Sequence, residues 1–321
     1  MTDITRRQIL AGSAAALAAP SIAAPSIAQA QTPEIAIVAF QMSSETHARV
    51  ANAAQAAARA KGWTATILNS EGSLPRHAEQ LDALIQRRPR AIVNAMGKPV
   101  EAEAQFERAR RANIPMITVM AGSSAHSLFD IQVNEFKVGA DAALWLLGEM
   151  NYQGNILTQR FEGNVGTRIR GRVLDAVLAE NQGVKVLGSH TMARTQSWRD
   201  DVRQGMQALL LQHAANLQGI WASFDGQAFV IDDLLRPRGL RKGQIKFVSI
   251  DGGAETYRRI ADPASLLMAT VTIPFEEMGK RAVEAVDAIV IKGQPKASVT
   301  AGPYLFLDAF VVDQTNVRQY I

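Results

Sequence analysis

The side chains able to do chemistry gather in short polar stretches, each of which follows an apolar run. These stretches are Gln41–His47, Met96–Pro99, Ala121–Ser123, Glu162–Arg168, Arg194–Trp198, Ser223–Gly226 and Asp251–Gly253. Arg168, Asp225 and Asp251 bring planar charged groups that can grip neighbouring hydroxyls in pairs. Trp198 adds an aromatic face for a ligand's C–H surface. That inventory suits a small neutral polyhydroxylated compound, because charges of both signs meet hydroxyls that both donate and accept. A strongly anionic ligand would be repelled by the two aspartates, and a strongly cationic one would have no use for Arg168.

Each of these residues also has a plainer reading. Arg168 could be a surface ion-pair residue, although a cation at a helix start opposes the helix dipole. Asp225 and Asp251 precede helical segments and could be N-caps, a role compatible with ligand binding. Trp198 could be a core tryptophan, but its neighbours Ser197, Arg199 and Asp200 favour a loop end. His47 could be plain surface, and Lys98 and Glu45 stand at strand ends without a partner that the sequence can name. The five histidines are scattered without metal-ligand spacing, so neither a metal nor another cofactor is expected. There is no cysteine, and no P-loop, Gly-x-Gly-x-x-Gly, Gly-x-Ser-x-Gly or His-Glu-x-x-His motif, so binding is expected rather than catalysis.

The elements that must hold these stretches are short β-rich runs alternating with Ala-rich segments of helical period. The runs are Ile35–Phe40, Thr64–Leu68, Ala91–Ala95, Met116–Met120, Asn155–Gln159, Val184–Thr191, Gly219–Ala222, Ile245–Ile250, Leu267–Val271 and Tyr304–Val312. Strands this apolar, separated by helices, imply parallel sheets covered on both faces. One sheet of ten strands is possible. For a chain this long, two doubly wound Rossmann-like lobes of five or six strands suit domain size better. In such sheets ligands bind beyond the carboxyl ends of the strands, where the polar stretches lie.

The 321 residues are 47% hydrophobic and 20% charged, and the net charge is +4 with no dense basic block. Nucleic acid is therefore not an expected partner. At the N-terminus, Arg6-Arg7 precedes an Ala-rich apolar stretch that ends in Ala28-Gln29-Ala30. Residues 1–30 read as a twin-arginine signal peptide cleaved after Ala30, which puts the mature protein in the periplasm. Pro20 and Pro25 interrupt the stretch, which is too short for a stable spanning helix.

On several of these motifs the chain resembles the type-1 periplasmic sugar-binding proteins of ABC transporters, the family typified by the ribose-binding protein. The motifs are the Gly-x-x-x-Thr-Arg-x-Arg-Gly run at Gly163–Gly171, Met206–Leu210 ahead of the Ala222–Asp225 turn, and Ser249-Ile250-Asp251-Gly252. Ala269-Thr270-Val271, Pro274 and Met278-Gly279 follow in the family's order. The resemblance implies two lobes joined by three crossings near Val133–Asn134, Thr272–Pro274 and Gly302–Tyr304. Lobe one would then be residues 33–133 with 274–303, and lobe two residues 134–273 with 304–321. It implies a monomer that delivers its ligand to an ABC permease in the inner membrane. A sensor presenting its ligand to a membrane receptor or kinase remains the alternative.

By the same resemblance, Arg168 and Asp251 fall on ligand-contacting positions, Asp225 beside one, and Trp198 at or next to a stacking aromatic. The departures lie mainly in lobe one. Ser44, Thr46 and His47 replace an Asn and two stacking Phe residues, and Met120-Ala121 replaces an Asp-Arg pair. Phe224 takes the place of a cleft Asn and Ile273 that of a hinge-side Gln. The ligand is therefore expected to be a sugar or sugar alcohol other than ribose, gripped mainly by lobe two.

Overall fold

The computed structural model describes residues 32–193 and 196–321, so the expected signal segment lies outside the described residues. The first part of the chain forms β1 (Glu34–Ala39), α1 (Glu45–Ala60), β2 (Thr64–Asn69), α2 (Leu74–Arg87), β3 (Ala91–Ala95), α3 (Glu103–Arg111), β4 (Met116–Val119) and β5 (Asp130–Gln132). There follow α4 (Glu135–Glu149), β6 (Gly154–Arg160), α5 (Val165–Glu180), β7 (Val184–Thr191), α6 (Trp198–His213), β8 (Gly219–Ala222) and α7 (Asp225–Leu235). The last elements are β9 (Lys246–Asp251), α8 (Ala254–Ala261), β10 (Ala269–Thr272), α9 (Phe275–Ala285), β11 (Tyr304–Phe306) and β12 (Phe310–Asp313).

Two six-stranded sheets result, in the orders β11-β5-β4-β3-β1-β2 and β12-β10-β9-β8-β6-β7. Every pairing is parallel except β10 with β12. The winding direction reverses beside β1 in the first sheet and beside β6 in the second. These are the switch points where parallel sheets open a crevice for ligands. A single ten-stranded sheet is thereby excluded, and the architecture is the two-lobed α/β fold that the residues implied.

Local sequence explains the helix starts that matter for the crevice. Asn164 accepts from the backbone of Gly166 and Thr167 and so opens α5 beyond β6. Asn134 does the same for α4 through Phe136 and Lys137. The buried residues of α1 are Val50, Ala51, Ala54 and Ala58, a narrow stripe at helical spacing. It is small enough that Gly279 of α9 approaches the backbone itself: a Cβ there would lie 2.4 Å from the Val50 carbonyl oxygen.

Gly139 brings α4 against α5 by the same means, because a Cβ at that position would lie 2.9 Å from the Arg170 Cα. Substituting Gly139→Ala should therefore push α5 away and cost about 1–3 kcal/mol of stability in a denaturant titration. An unchanged midpoint would mean that the helix contact is not tight.

Helix α4 packs on β8, β9, β10 and β12, whereas α9 packs on α1, β4 and β5. The chain thus changes lobes between β5 and α4 and again between β10 and α9. The third change differs from the expectation. Strand β11 pairs with β5, and β12 pairs with β10, so the crossing falls at 307–309 rather than at Gly302–Tyr304. The apolar run Tyr304–Val312 is two strands of different sheets. Continuous hydropathy hides the division, because only a three-residue link separates them.

Candidate functional site

The carboxyl edges of the two sheets meet through Arg49, near the start of α1. Its Nη1 donates to the Gly252 carbonyl just beyond β9 at 2.6 Å, while Nε and Nη2 hold Glu276 at 2.7 and 2.9 Å. Its guanidinium also lies over Phe275, 5.1 Å from the ring centroid. Glu45 stands beside Gly253 at the same contact. The described residues of the polar stretches singled out in the sequence follow the carboxyl ends of strands in the two sheets.

Buried charge organises the second lobe. Arg170, 4% exposed on α5, donates through Nε and Nη2 to Glu135 at 2.7 and 3.1 Å. Its Nη1 reaches the Ser223 carbonyl at 3.0 Å and Asp251 Oδ1 at 3.3 Å. Asp225, also 4% exposed, takes four protein donors. Ser249 and Thr270 serve Oδ1, the latter at 3.0 Å, while the Gly252 amide at 2.7 Å and Thr256 at 2.6 Å serve Oδ2. Burial pushes Asp225 up to about 6 despite these donors. Burial also raises Asp251 to about 7, with Asp225 and Glu135 adding to the shift and Arg170 opposing it.

Other polar groups at these strand ends have free hydrogen-bonding capacity. Asp251 Oδ2 receives no donor from the described residues. Asp251 also sits at φ 131°, a backbone region that favours glycine. Arg168 is half-buried, gives one Nη1 hydrogen bond to the Glu162 carbonyl at 2.7 Å, and has no carboxylate partner among the described residues. In the first lobe, His47 Nδ1 is shut off from solvent without a partner. Burial lowers His47 to about 4, so its imidazole is neutral at ordinary pH. Ser44 and Thr46 pair with each other through their hydroxyls at 3.2 Å. Met120 closes β4 half-buried with φ 51°.

The aromatic wall is larger than the sequence indicated. Phe224 lies 5.7 Å from Trp198 and 6.2 Å from Phe161 between ring centroids, and the Arg199 guanidinium covers Trp198 at 4.4 Å. Phe161 directly follows β6, so helix and strand ends together build this cluster.

Two expected contacts take other positions. Asp225 has both oxygens occupied by protein donors, so it braces the Asp251–Gly252 turn rather than facing the crevice. Ile273 is 0% exposed in the core, where only its backbone is engaged: its amide donates to the Asp251 carbonyl at 2.9 Å and its carbonyl accepts from the Phe275 amide at 2.9 Å. Lys98 is paired with Glu101 at 3.4 Å. The residues missed were Arg170, Glu135, Arg49 and Phe161. A signal for Arg170 existed, because two residues of helix turn the chain by about 200°. If Arg168 faces the crevice, Arg170 must face inward.

A family model described as "Periplasmic binding protein domain" matches residues 17–295. The chain belongs to that family. Solved structures of the same two-lobed fold include an ABC transporter solute-binding protein from Agrobacterium vitis with bound allitol. It is 24% identical with TM-score 0.76, over 90% of this chain and 98% of that one. A 5-methylthioribose transporter solute-binding protein from Thermotoga lettingae, in complex with 5-methylthioribose, is 20% identical with TM-score 0.78, over 90% of both chains. An ABC transporter periplasmic solute-binding protein from Actinobacillus succinogenes with bound D-allose is 18% identical with TM-score 0.78, over 90% of this chain and 100% of that one. No curated protein matches the sequence. The residues described above at the carboxyl edges of the two sheets are therefore the candidate ligand site of this periplasmic binding protein.

Proposed function

We propose that this periplasmic binding protein is the solute-binding component of an ABC-type importer. It takes a small neutral polyhydroxylated compound, a sugar or sugar alcohol, between its lobes and closes on it by hinge motion. The observation that carries this reading is the pair of uncommitted groups of opposite charge, Arg168 and Asp251, beside the Phe161–Trp198–Phe224 wall. A guanidinium donates to, and a carboxylate accepts from, a ring of hydroxyls, and the aromatic faces take its C–H surface. His47 completes the set from the first lobe as a neutral hydrogen-bonding group, with Ser44 and Thr46 near it. Relatives of this fold with bound allitol and D-allose point to the same ligand chemistry.

Export by the twin-arginine segment belongs to this reading. Mass spectrometry of the periplasmic protein should find Gln31 or a near neighbour as its first residue. Unprocessed protein in the cytoplasm would contradict it.

The ligand is tested by a thermal-shift screen of pentoses, hexoses, their alcohols and deoxy-sugars. A ligand at 100 times its dissociation constant adds about 2.7 kcal/mol of stability, or about 4–5 °C for a chain of this size. If only amino acids or sugar acids shift the melt, the polyol assignment fails.

A further inference from the structure

Three methionines stand at the carboxyl edge of the first sheet. Met42 follows β1, Met96 follows β3 and Met120 follows β4. The three strands are neighbours in the order β4-β3-β1, and the Met96 amide donates to the Val119 carbonyl, so Met96 and Met120 end adjacent strands side by side. Among the described methionines these three alone are not buried. Met116, Met150, Met192, Met206, Met268 and Met278 all lie in the core. Each of the three is instead only partly buried, packed against the core just beyond the carboxyl end of its strand.

The backbone gives a second, independent observation. Met96 and Met120 adopt φ 67° and 51°, in the left-handed region that costs an unbranched non-glycine residue on the order of 1 kcal/mol. Glycine, asparagine or aspartate would occupy those positions at less cost. Strain held at two adjacent strand ends, in the direction where ligand is taken, marks side chains kept there for contact rather than for the fold. A thioether offers a soft apolar surface with no hydrogen bond worth the name, so it cannot satisfy a hydroxyl.

We infer that this methionine ledge selects a ligand with one unhydroxylated edge, a deoxy, alkyl or alkylthio terminus on an otherwise polyhydroxylated compound. The inference rests on the polyol reading and narrows it. Lobe two grips the hydroxylated edge through Arg168 and Asp251, and the ledge receives the edge that carries no hydroxyl. A hydroxyl placed there is desolvated against sulfur and methylene groups without a partner.

The test is isothermal titration with matched pairs: D-ribose with 5-deoxy-D-ribose, D-galactose with D-fucose, and ribitol with 1-deoxyribitol. In at least one pair the deoxy member should bind about 10- to 100-fold tighter, the range an apolar pocket gives for one hydroxyl. Met96→Asn and Met120→Asn keep a residue that tolerates positive φ and replace the thioether with an amide. Each should cut that preference to about threefold or less, while melting within a few degrees of the parent without ligand. A preference for the hydroxylated member, or equal binding, overturns the ledge and leaves the polyol reading standing. A deoxy preference that survives both substitutions also overturns it. If no member of any pair binds, the polyol reading falls and the ledge falls with it.

Discussion

Replacing Arg170 by methionine is expected to destabilise the protein by about 3–5 kcal/mol and to abolish ligand binding. The guanidinium lies among Glu135, Asp251 and the Ser223 carbonyl, and Asp225 sits close behind Asp251. Methionine preserves much of the volume and the apolar stem but leaves the buried carboxylates of Glu135 and Asp251 without their cation. Breaking a buried pair by removing one partner costs about this much, because the remaining charge cannot be solvated. Arg170→Lys should recover only part of the loss, since one ammonium cannot span Glu135 in two places and still reach two further acceptors. Urea unfolding of the mature chain measures both variants. A loss below about 1 kcal/mol for the methionine variant would show that the carboxylates find protons or water without Arg170.

Asp251→Gly should act in opposite directions on binding and on stability. Affinity should fall by about 30-fold or more, as expected when one partner of a desolvated polar contact is removed. The ligand-free protein should nevertheless become more stable, by about 1–3 kcal/mol, because glycine relieves the backbone at φ 131°. Arg170 retains its two contacts to Glu135 and its contact to Ser223.

The gain should also depend on pH. With Asp251 raised to about 7, the folded chain binds that proton more tightly than the unfolded one. The associated stability is complete below the ordinary carboxylate range and is lost as pH rises through 7. The glycine variant lacks it, so its advantage should be larger at pH 8.5 than at pH 6, by about 1 kcal/mol. Burial lowers His47 and His77 to about 4, and both work in the other sense, losing stability as pH falls from 6.5 toward 4. They are common to both proteins and cancel in the difference. Melting curves of the two proteins at both pH values decide the matter; an advantage independent of pH would return Asp251 to an ordinary carboxylate.

The sheets were legible because their strands are apolar on both faces, and the polar stretches because they follow those strands. What was not legible is informative. Strand β5 has three residues, one of them the fully buried Asp130, and nothing in Asp130-Ile131-Gln132 reads as a strand. Asp225 reads equally well as a cap or a ligand contact until its donors are known. They come from Ser249, Gly252, Thr256 and Thr270, residues that only the folded sheet brings together. Arg168 and Arg170 are two arginines in one motif, and composition cannot say which is buried. Ile273 stood where the family carries a polar hinge residue, but an isoleucine has no polar atom to offer, and the core takes it.

The late third crossing has a consequence for how the chain acquires its shape. Strand β11 joins β5 across roughly 170 residues of sequence, and β12 closes the other sheet after both the α9 segment and β11 have been made. While the ribosome is still at work, both lobes have an unpaired edge, and the first also lacks α9. Neither lobe can be finished early and set aside. Long-range pairings of this kind are slow to form, so the nascent chain exposes two open sheet edges until β11 and β12 have been made. Removal of the last dozen residues would strip the edge strand from the second lobe while leaving the first intact.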